Sequence, residues 1–422
     1  MINLKQITDI IQRSEQLKLQ LQKEVVADPR AGGKTLERRW SIGEVAKIIG
    51  RKAVTIRSAE DRGALPPPEI QPGRQRRSYR LEQIINMFDV FRTAPKRVPF
   101  QDPLCVLTFQ NFKGGVAKSI LSSTMAEYLA LHGLRVLLVD CDPQATTTRL
   151  VGGYSPDEDL DEGDTLLPFF SGEQKNLAYA VRKTHWGNLK LIPANLLLYA
   201  AEYSLENRMI RGRMRQGWRL LELGIAEVGD DYDVVILDPP PALGMISLNV
   251  LYAANSIIIP TPPNMVDLYS TFQFYNMLEE VLTTIQESDR QSGQGGEKDY
   301  HFIKVMVTRK RQRRQREDER SEDLIVNMAR QFYGQYMMRS ILYESEEITA
   351  AAAVGRTILE VATPVSSRST HARAQHNIDE IGSEIMGLIR KDMLTHRKSR
   401  TVSETPLVEP VVTTETGGES HD

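Results

Sequence analysis

The sequence has little cysteine and no long apolar run. Only two cysteines, Cys105 and Cys141, occur among 422 residues, and both lie inside apolar runs. This excludes a disulfide framework and a zinc ribbon. No stretch reaches the ~18 consecutive apolar residues of a membrane-spanning helix, and the chain does not begin with a basic segment followed by an apolar one. We therefore expect a protein that is neither secreted nor membrane-spanning.

The chain also has little net charge, but its charges are unevenly distributed. The formal net charge is −2, yet residues 1–100 carry a net charge of +9 and the other 322 residues carry −11. A basic front joined to an acidic body suggests a nucleic-acid-binding module attached to a domain of another kind. Hydrophobic residues make up 41% of the chain and charged residues 26%, which is ordinary for folded domains.

The first 98 residues predict an arm and a small DNA-binding module. Residues 1–33 have apolar positions at helical spacing and predict an amphipathic arm, which either packs on its own domain or pairs with a second chain. Residues 34–98 predict a helix from Ser41 to Gly50, a second helix from about Ala53 to Arg62, and an Arg-rich hairpin. This pattern fits a helix-turn-helix followed by a wing similar to that of MerR-type proteins.

In such a module the second helix enters the major groove, and the hairpin contacts phosphates or the minor groove. The candidate DNA-binding residues here are Thr55, Arg57, Ser58, Arg74, Arg76 and Arg77. The alternative is a small helical packing domain with a solvated charged face.

Residues 104–398 predict an α/β domain. Apolar, β-rich runs at 104–109, 135–139, 233–237, 256–260 and 302–307 alternate with helical patterns. Continuous apolar strands between helices indicate a mostly parallel, doubly wound sheet covered on both faces. A proline-containing segment, 93–103, predicts the linker before this domain, and the composition of 399–422 predicts a disordered tail.

A candidate phosphate loop follows the first strand of this domain. Residues 113–119 read K-G-G-V-A-K-S and precede a helical pattern. Glycines let backbone N–H groups turn toward phosphate oxygens, a lysine neutralises their charge, and a serine hydroxyl binds Mg²⁺. The strict G-x-x-x-x-G-K-[ST] pattern fails, because Phe112 and Ala117 occupy its glycine positions.

The loop resembles the deviant Walker A motif, KGGxGK[ST], of the ParA/MinD family of P-loop ATPases. Three further segments resemble that family: 136–144 (VLLVDCDPQ) its D-x-D-P-Q element, 234–240 (VVILDPP) its Walker B strand, and 257–263 (IIIPTPP) the strand and loop near the nucleotide base. Both acidic clusters follow strands, where open α/β sheets place their ligands. The resemblance therefore implies a P-loop NTPase fold, with ATP or ADP and Mg²⁺ as cofactors.

The resemblance also implies residue roles. Lys118 contacts the phosphates, Ser119 and Asp238 serve the metal with Asp140 in support, and Asp142 orients the attacking water. Lys113 reaches the phosphates bound by the opposing subunit, so that ATP becomes part of a homodimer interface. The implied catalytic residues are Asp142, Lys113 and Lys118. The implied cofactor-binding residues are Lys113, Gly114, Gly115, Val116, Ala117, Lys118, Ser119, Ile120 and Pro262.

Simpler interpretations of these residues stay open. Asp140 and Asp142 can serve as a helix N-cap and a turn residue, and Lys113 can be a solvated loop lysine. Two positions depart from the family pattern: Ala117 stands in place of glycine, and Ile120 stands where a hydroxyl residue is common. Both departures bear on nucleotide affinity and turnover.

The run 309–316 (RKRQRRQR) is a second basic segment. Clustered arginines bind DNA phosphates without sequence preference, which makes Arg309, Lys310, Arg311, Arg313 and Arg314 candidate DNA-binding residues, with Arg356 as an extension. The alternative is a basic loop neutralised by the acidic residues at 317–319.

A DNA-binding module ahead of such an ATPase resembles the long, plasmid-type ParA partition proteins. This implies a bacterial, cytoplasmic, nucleoid-associated homodimer that coats DNA when bound to ATP, is released by a ParB-type partner and represses its own operon. A nucleotide-sensing repressor without a segregation role is the alternative. A MinD-like membrane ATPase would need a C-terminal amphipathic helix with a cationic face, whereas the last residues of this sequence are polar and acidic. An iron–sulfur reductase would need bridging cysteines, which Cys105 and Cys141 do not provide. We therefore expect neither class.

Overall fold

The computed structural model describes residues 10, 12–17, 20, 34–70, 77–99, 101–212, 214, 216–292, 298–311 and 317–403. The predicted arm at 1–33 lies largely outside these residues. The predicted tail begins at 399, but the last helix continues to Ser403, and residues 404–422 lie outside the described part.

The strands are β1 (Trp40–Ser41), β2 (Glu69–Ile70), β3 (Arg77–Tyr79), β4 (Cys105–Phe109), β5 (Val136–Asp140), β6 (Arg182–Lys183), β7 (Leu189–Ile192), β8 (Val234–Asp238), β9 (Ser256–Thr261) and β10 (Phe302–Val307). The helices of 34–403 are α1 (Ile42–Ile49), α2 (Ala53–Asp61), α3 (Leu81–Phe91), α4 (Lys118–Leu131), α5 (Leu167–Ser171), α6 (Tyr199–Ile210), α7 (Leu220–Val228), α8 (Met245–Ala253), α9 (Met265–Ser292), α10 (Glu317–Tyr333), α11 (Glu346–Ala353) and α12 (Arg368–Ser403).

The N-terminal module combines three helices with a small sheet. Ser41 and Glu44 form a capping box at the start of α1, and Gly50 ends that helix in a left-handed conformation (φ 68°). Helix α2 follows after three residues, and β1, β3 and β2 form an antiparallel sheet beside the helices. The two predicted helices are thus present within a residue of their expected ends, while the assignment as a winged helix-turn-helix stays a prediction.

The predicted α/β fold is confirmed. A seven-stranded sheet has the order β10-β9-β4-β8-β5-β7-β6, and every pairing except β6 with β7 is parallel. The apolar runs form five adjacent strands of this sheet. The edge strand β6 and its neighbour β7 are absent from the sequence prediction, because two to four residues are too few to produce a periodic signal.

The order of the strands determines where a ligand can bind. Strand β4 lies between β9 and β8, and β8 separates it from β5, the next strand in the chain. The chain leaves β4 toward β5 on one side and leaves β8 toward β9 on the other, which opens a crevice between them at the carboxyl edge of the sheet. The loops that follow β4, β5 and β8 all meet at this crevice.

The N-terminal module shares a hydrophobic core with the α/β domain. The buried ring of Trp40 packs edge-on against that of Trp186, with 6.4 Å between centroids. A Cβ at Gly133 would lie 2.8 Å from the Phe88 ring, so α3 and the end of α4 approach closely. Hydrogen bonds also hold the predicted linker against the α/β domain. The Arg97 backbone N–H donates to the Asp233 carboxylate, and the Arg97 guanidinium donates to the backbone carbonyls of Asp102 and Gly229.

Candidate nucleotide site

The phosphate loop connects β4 to α4 and is held in place by Asn111. The Asn111 amide donates to the Pro260 carbonyl over 2.9 Å, and its oxygen accepts from the Lys113 backbone N–H over 3.0 Å. Asn111 is buried, so both contacts are shielded from water. The start of the loop is therefore fixed to the end of β9.

Two loop residues have left-handed backbone conformations. Gly115 has φ 74°, which glycine adopts freely, and Ala117 has φ 77°, which costs an L-residue roughly 1–2 kcal/mol. Ala117 thus stands at a position whose backbone favours glycine. The loop therefore has a backbone conformation that favours glycine at this position, at the cost of strain at Ala117.

Lys118 begins α4 with its ammonium group turned back over the loop. Its Nζ donates to the Lys113 carbonyl over 3.0 Å, and the residue is 7% exposed. Burial lowers the pKa of Lys118, and the carboxylates of Asp238 and Asp142 oppose that shift. The Lys118 ammonium group lies over the loop, whose backbone N–H groups are of the kind that binds phosphate.

Asp238 ends β8 beneath this lysine. Its carboxylate accepts from Ser122 Oγ over 3.0 Å and from Thr147 Oγ1 over 2.7 Å, and it is fully buried. Burial raises the pKa of Asp238 to about 6, while hydrogen bonds from hydroxyl groups, Ser119 among them, lower it. An acidic oxygen beside a serine hydroxyl is the chemistry of a Mg²⁺ site.

Asp140 is the direct neighbour of Asp238 on β5. It accepts hydrogen bonds from the Asp142 backbone N–H (3.1 Å) and from both the backbone N–H and the hydroxyl of Thr148 (2.8 and 2.7 Å). Burial and the charge of Asp238 raise the pKa of Asp140 well above its usual range. This carboxylate holds the loop that carries Asp142, and its support of the metal stays a prediction.

Asp142 is 8% exposed and lies near enough to Lys118 for their charges to interact. Its Oδ1 accepts from the Gln144 backbone N–H over 3.0 Å, which fixes the side chain in an Asx turn. Burial raises its pKa, and the hydrogen bond and Lys118 counteract the rise. The structure thus brings Lys118, Asp142 and Asp238 to one crevice, as the sequence predicted.

Lys113 makes an ion pair with Asp267, in the first turn of α9 of the same chain. The Lys113 side chain is about one-third exposed and the Asp267 side chain is 14% exposed. The partner was absent from the sequence prediction, because 154 residues separate the two and no local pattern marks Asp267. Lys113 is therefore ion-paired within its own chain, and its contact with the opposing subunit stays a prediction.

A cleft of about 360 Å³ borders the loop. Its lining residues are Pro262, Pro263, Asn264, Asp267, Arg309, Arg311, Ser321, Glu322 and Glu344. Arg309 Nη1 donates to the Gly115 carbonyl over 3.0 Å, so the first residue of the basic run supports the phosphate loop. The buried Pro262 lies at the cleft wall, and its place beside the nucleotide stays a prediction.

The three basic residues of the run that the structure describes lie near acidic side chains. Arg309 and Arg311 approach Glu344 (3.6 and 3.7 Å), and Lys310 approaches Asp323 (2.8 Å). These acids are not those at 317–319 that the sequence suggested as partners. Arg313 and Arg314 lie outside the described residues, and Arg356 is half-buried.

The predicted DNA-contacting residues of the N-terminal module differ in exposure. Arg57 is exposed on α2, whereas Thr55 and Ser58 are half-buried. Arg77 forms an ion pair with Glu60, which also accepts a hydrogen bond from the Tyr79 hydroxyl over 2.7 Å. Arg77 thus braces the hairpin against α2, and Arg74 and Arg76 lie outside the described residues.

Across the part of the chain that the structure describes, every helix is either too short or too polar to cross a membrane.

Comparisons with known proteins identify relatives of this chain. A family model described as an AAA domain matches residues 105–289. Protein SopA of Escherichia coli K12 is 35% identical over 340 residues, covering 79% of this chain and 84% of SopA. The chromosome-partitioning ATPase Soj of Treponema pallidum is 36% identical over 154 residues, covering 36% of this chain and 55% of Soj. A solved structure described as a partition protein covers 91% of this chain and 98% of its own, with a TM-score of 0.62 and 18% identity, which supports the fold alone.

The strained Ala117 gives a prediction about stability. Ala117→Gly removes the cost of the left-handed backbone, roughly 1–2 kcal/mol, and adds the chain entropy of glycine, about 0.5–1 kcal/mol. We expect the free energy of unfolding to rise by up to about 1 kcal/mol in denaturant titrations. The matched control is Ala372→Gly on an exposed face of α12, which we expect to lower it by about 1 kcal/mol. An equal loss in both variants would contradict the strain at Ala117.

Proposed function

Because the chain belongs to the family of ParA-type partition ATPases, we propose that it is an ATP-dependent DNA partition protein. In this proposal it binds ATP and Mg²⁺, forms a homodimer, coats DNA without sequence preference, and hydrolyses ATP slowly until a ParB-type partner stimulates it. The N-terminal module represses the protein's own operon. The convergence of Lys118, Asp142 and Asp238 at the carboxyl edge of the sheet is the observation that carries the proposal.

The residues of the crevice fit a magnesium nucleotide. The backbone of the loop and Lys118 would hold the phosphates, and the Ser119 hydroxyl with Asp238 would hold Mg²⁺ and its waters. Bound Mg²⁺ neutralises charge that develops on the phosphate oxygens. Pro262 at the cleft wall supports the base-binding role that the resemblance implies.

Asp142 is the residue we propose for orienting the attacking water. Its position beside Lys118 and its Asx turn hold one carboxylate oxygen in place, while the other stays available to accept a hydrogen bond. Positioning of this kind, rather than covalent chemistry, is the main contribution of a protein to phosphoryl transfer. We expect turnover well below the ~10 s⁻¹ median of enzymes, since partner contact would complete the site.

Two variants separate nucleotide binding from hydrolysis. Lys118→Ala removes the charge that neutralises the phosphates and should abolish ATP binding. Asp142→Ala should retain binding and lose turnover by about 10²-fold or more. Fluorescent-nucleotide titration and phosphate release measure the two steps, and Lys175→Ala, at an exposed lysine, is the control. Normal hydrolysis by Asp142→Ala would remove the role assigned to that residue.

The Lys113–Asp267 pair gives a prediction about dimerisation. If Lys113 serves the phosphates of an opposing subunit, it must first leave Asp267. Lys113→Gln should bind ATP but show no ATP-dependent increase in sedimentation coefficient. Asp267→Asn removes the competing charge and should lower the ATP concentration needed for dimerisation. Wild-type behaviour of both variants in analytical ultracentrifugation would exclude the cross-subunit role.

The two basic regions lead us to propose two separate DNA-binding activities. Arg57 on α2 would contribute to operator recognition, and the segment after β10 would contribute phosphate contacts. We expect Arg57→Ala to weaken binding to the protein's own promoter and to spare ATP-dependent binding to random DNA. Lys310→Ala with Arg311→Ala should do the reverse and reduce the salt slope by about one unit per contact. This pair leaves Arg309, which supports the phosphate loop, unchanged.

Titrations of promoter and scrambled duplexes, with ADP and with a slowly hydrolysed ATP analogue, measure both activities at several salt concentrations. Lys175→Ala controls for the loss of one positive charge. Equal loss of both activities in both variants would indicate a single DNA surface. Promoter binding with no nucleotide-dependent binding to random DNA in the wild type would favour the repressor without a segregation role.

A further inference from the structure

We propose that His301, Asp392 and His396 form a binding site for a zinc-class transition-metal ion, separate from the nucleotide site. His301 immediately precedes β10, whereas Asp392 and His396 lie one helical turn apart on α12. Strands β10, β9 and β4 are parallel, and the phosphate loop follows the carboxyl end of β4. The triad therefore lies at the amino edge of the sheet, opposite the crevice.

The three side chains already converge. His301 Nδ1 lies 2.8 Å from Asp392 Oδ2, and His396 Nε2 lies 3.4 Å from Asp392 Oδ1. One nitrogen or oxygen from each residue lies within 4.8 Å of the others. Ligands of a tetrahedral Zn²⁺ ion, at about 2.0–2.1 Å from the metal, are separated by about 3.3 Å. Small rotations of the side chains would reach this geometry.

The contact between His301 and Asp392 requires a proton or a metal ion between the two atoms. His301 Nδ1 is buried and has no well-directed hydrogen bond, although a carboxylate oxygen lies 2.8 Å away. A nitrogen lone pair and a carboxylate oxygen repel each other unless a proton or a metal ion lies between them. The backbone of His301 is fixed, because its N–H donates to the Asn255 carbonyl over 2.7 Å.

The surroundings allow a three-ligand site. The side chains of His301 and Asp392 are 12% and 9% exposed, and that of His396 is 43% exposed, so a water molecule can reach the fourth position. Cys105 is buried, and its Sγ donates a hydrogen bond to Ser256 Oγ over 3.7 Å. In the described part of the chain its sulfur is not one of the atoms that converge within 4.8 Å of one another at this site.

A second cluster with metal-binding residue types serves as a contrast. Among the described residues, Glu127, His185 and Glu360 also converge. There the ammonium of Lys34 lies 2.7 Å from Glu360 and also donates to the Gly355 carbonyl over 2.8 Å. A protein cation thus already neutralises that cluster, whereas two imidazoles and a carboxylate favour zinc over Mg²⁺ at the first one.

Metal bound by the triad would join the start of β10 to the last turns of α12. The next residue, Arg397, makes two hydrogen bonds of 2.5 Å to Asp102 before β4. The C-terminal part of α12 would then be attached at two adjacent points. The metal would join it to the edge strand β10, and Arg397 joins it to Asp102, which precedes β4. We expect Zn²⁺ to raise the thermal stability of the full chain.

Calorimetric titration of the metal-free full chain with Zn²⁺, in excess Mg²⁺ to occupy the nucleotide site, tests the proposal. We expect one saturable site, and Co²⁺ should give the visible absorption of a tetrahedral complex. His301→Ala with His396→Ala should weaken Zn²⁺ affinity by at least about tenfold, abolish the Co²⁺ spectrum and remove the rise in Tm. Lowering the pH should release the ion, because metal ligands must be deprotonated to bind.

His376→Ala is the matched control, because His376 and Glu380 have the same spacing on α12 but no third ligand in the described part of the chain. It should leave Zn²⁺ binding unchanged. If the double variant fails to fold, His396→Gln, at the most exposed ligand, supports the same comparison. Absence of saturable binding to the wild type, or undiminished binding to the ligand variants, would overturn the proposal.

Discussion

Two carboxylates, Asp140 and Asp238, lie fully buried on adjacent parallel strands, and the loops of the nucleotide site are arranged around them. Burial of charge is costly unless hydrogen bonds and opposite charges compensate. Asp238 receives hydroxyl hydrogen bonds from α4 and from the loop after β5, and Asp140 receives three bonds from that same loop. Satisfying these groups brings α4, β5 and β8 into one rigid frame. The same frame places Lys118 and Asp142 on either side of the crevice.

Contacts from distant parts of the chain complete the phosphate loop. Asn111 ties it to β9, Lys113 ties it to α9 through Asp267, and Arg309 ties Gly115 to the end of β10. The Lys113–Asp267 ion pair and the Arg309–Gly115 hydrogen bond are partly exposed. Contacts of this kind are individually weak and can exchange partners. A change at the nucleotide therefore has a direct route to α9 and to the basic segment after β10.

The N-terminal module is integrated with the ATPase domain rather than tethered to it. The Trp40–Trp186 contact, the close approach of Phe88 to Gly133 and the buried Lys34–Glu360 pair lie on one continuous interface. Breaking the Lys34 pair would leave buried charges uncompensated, which is strongly unfavourable. The module and the ATPase domain thus pack together as one unit.

The sequence alone determined the features that depend on local pattern. The five apolar strands, the two N-terminal helices, the phosphate loop and the acidic strand ends were all predictable, because periodicity, glycine placement and chain order carry that information. Convergence of Lys118, Asp142 and Asp238 also followed, since the carboxyl ends of parallel strands meet at one edge.

Tertiary structure alone decided which partners these residues have. The pairing of Lys113 with Asp267, the contact of Arg309 with Gly115 and the meeting of His301 with α12 join residues that are about 90 to 190 positions apart. The fixing of the predicted linker by Arg97 and Asp102 belongs to the same class. A single sequence has no local signal for such pairs, because charged side chains at a surface can satisfy their charge with water or with any nearby opposite charge. Only the packing of strands and helices brings one partner within reach and excludes the others.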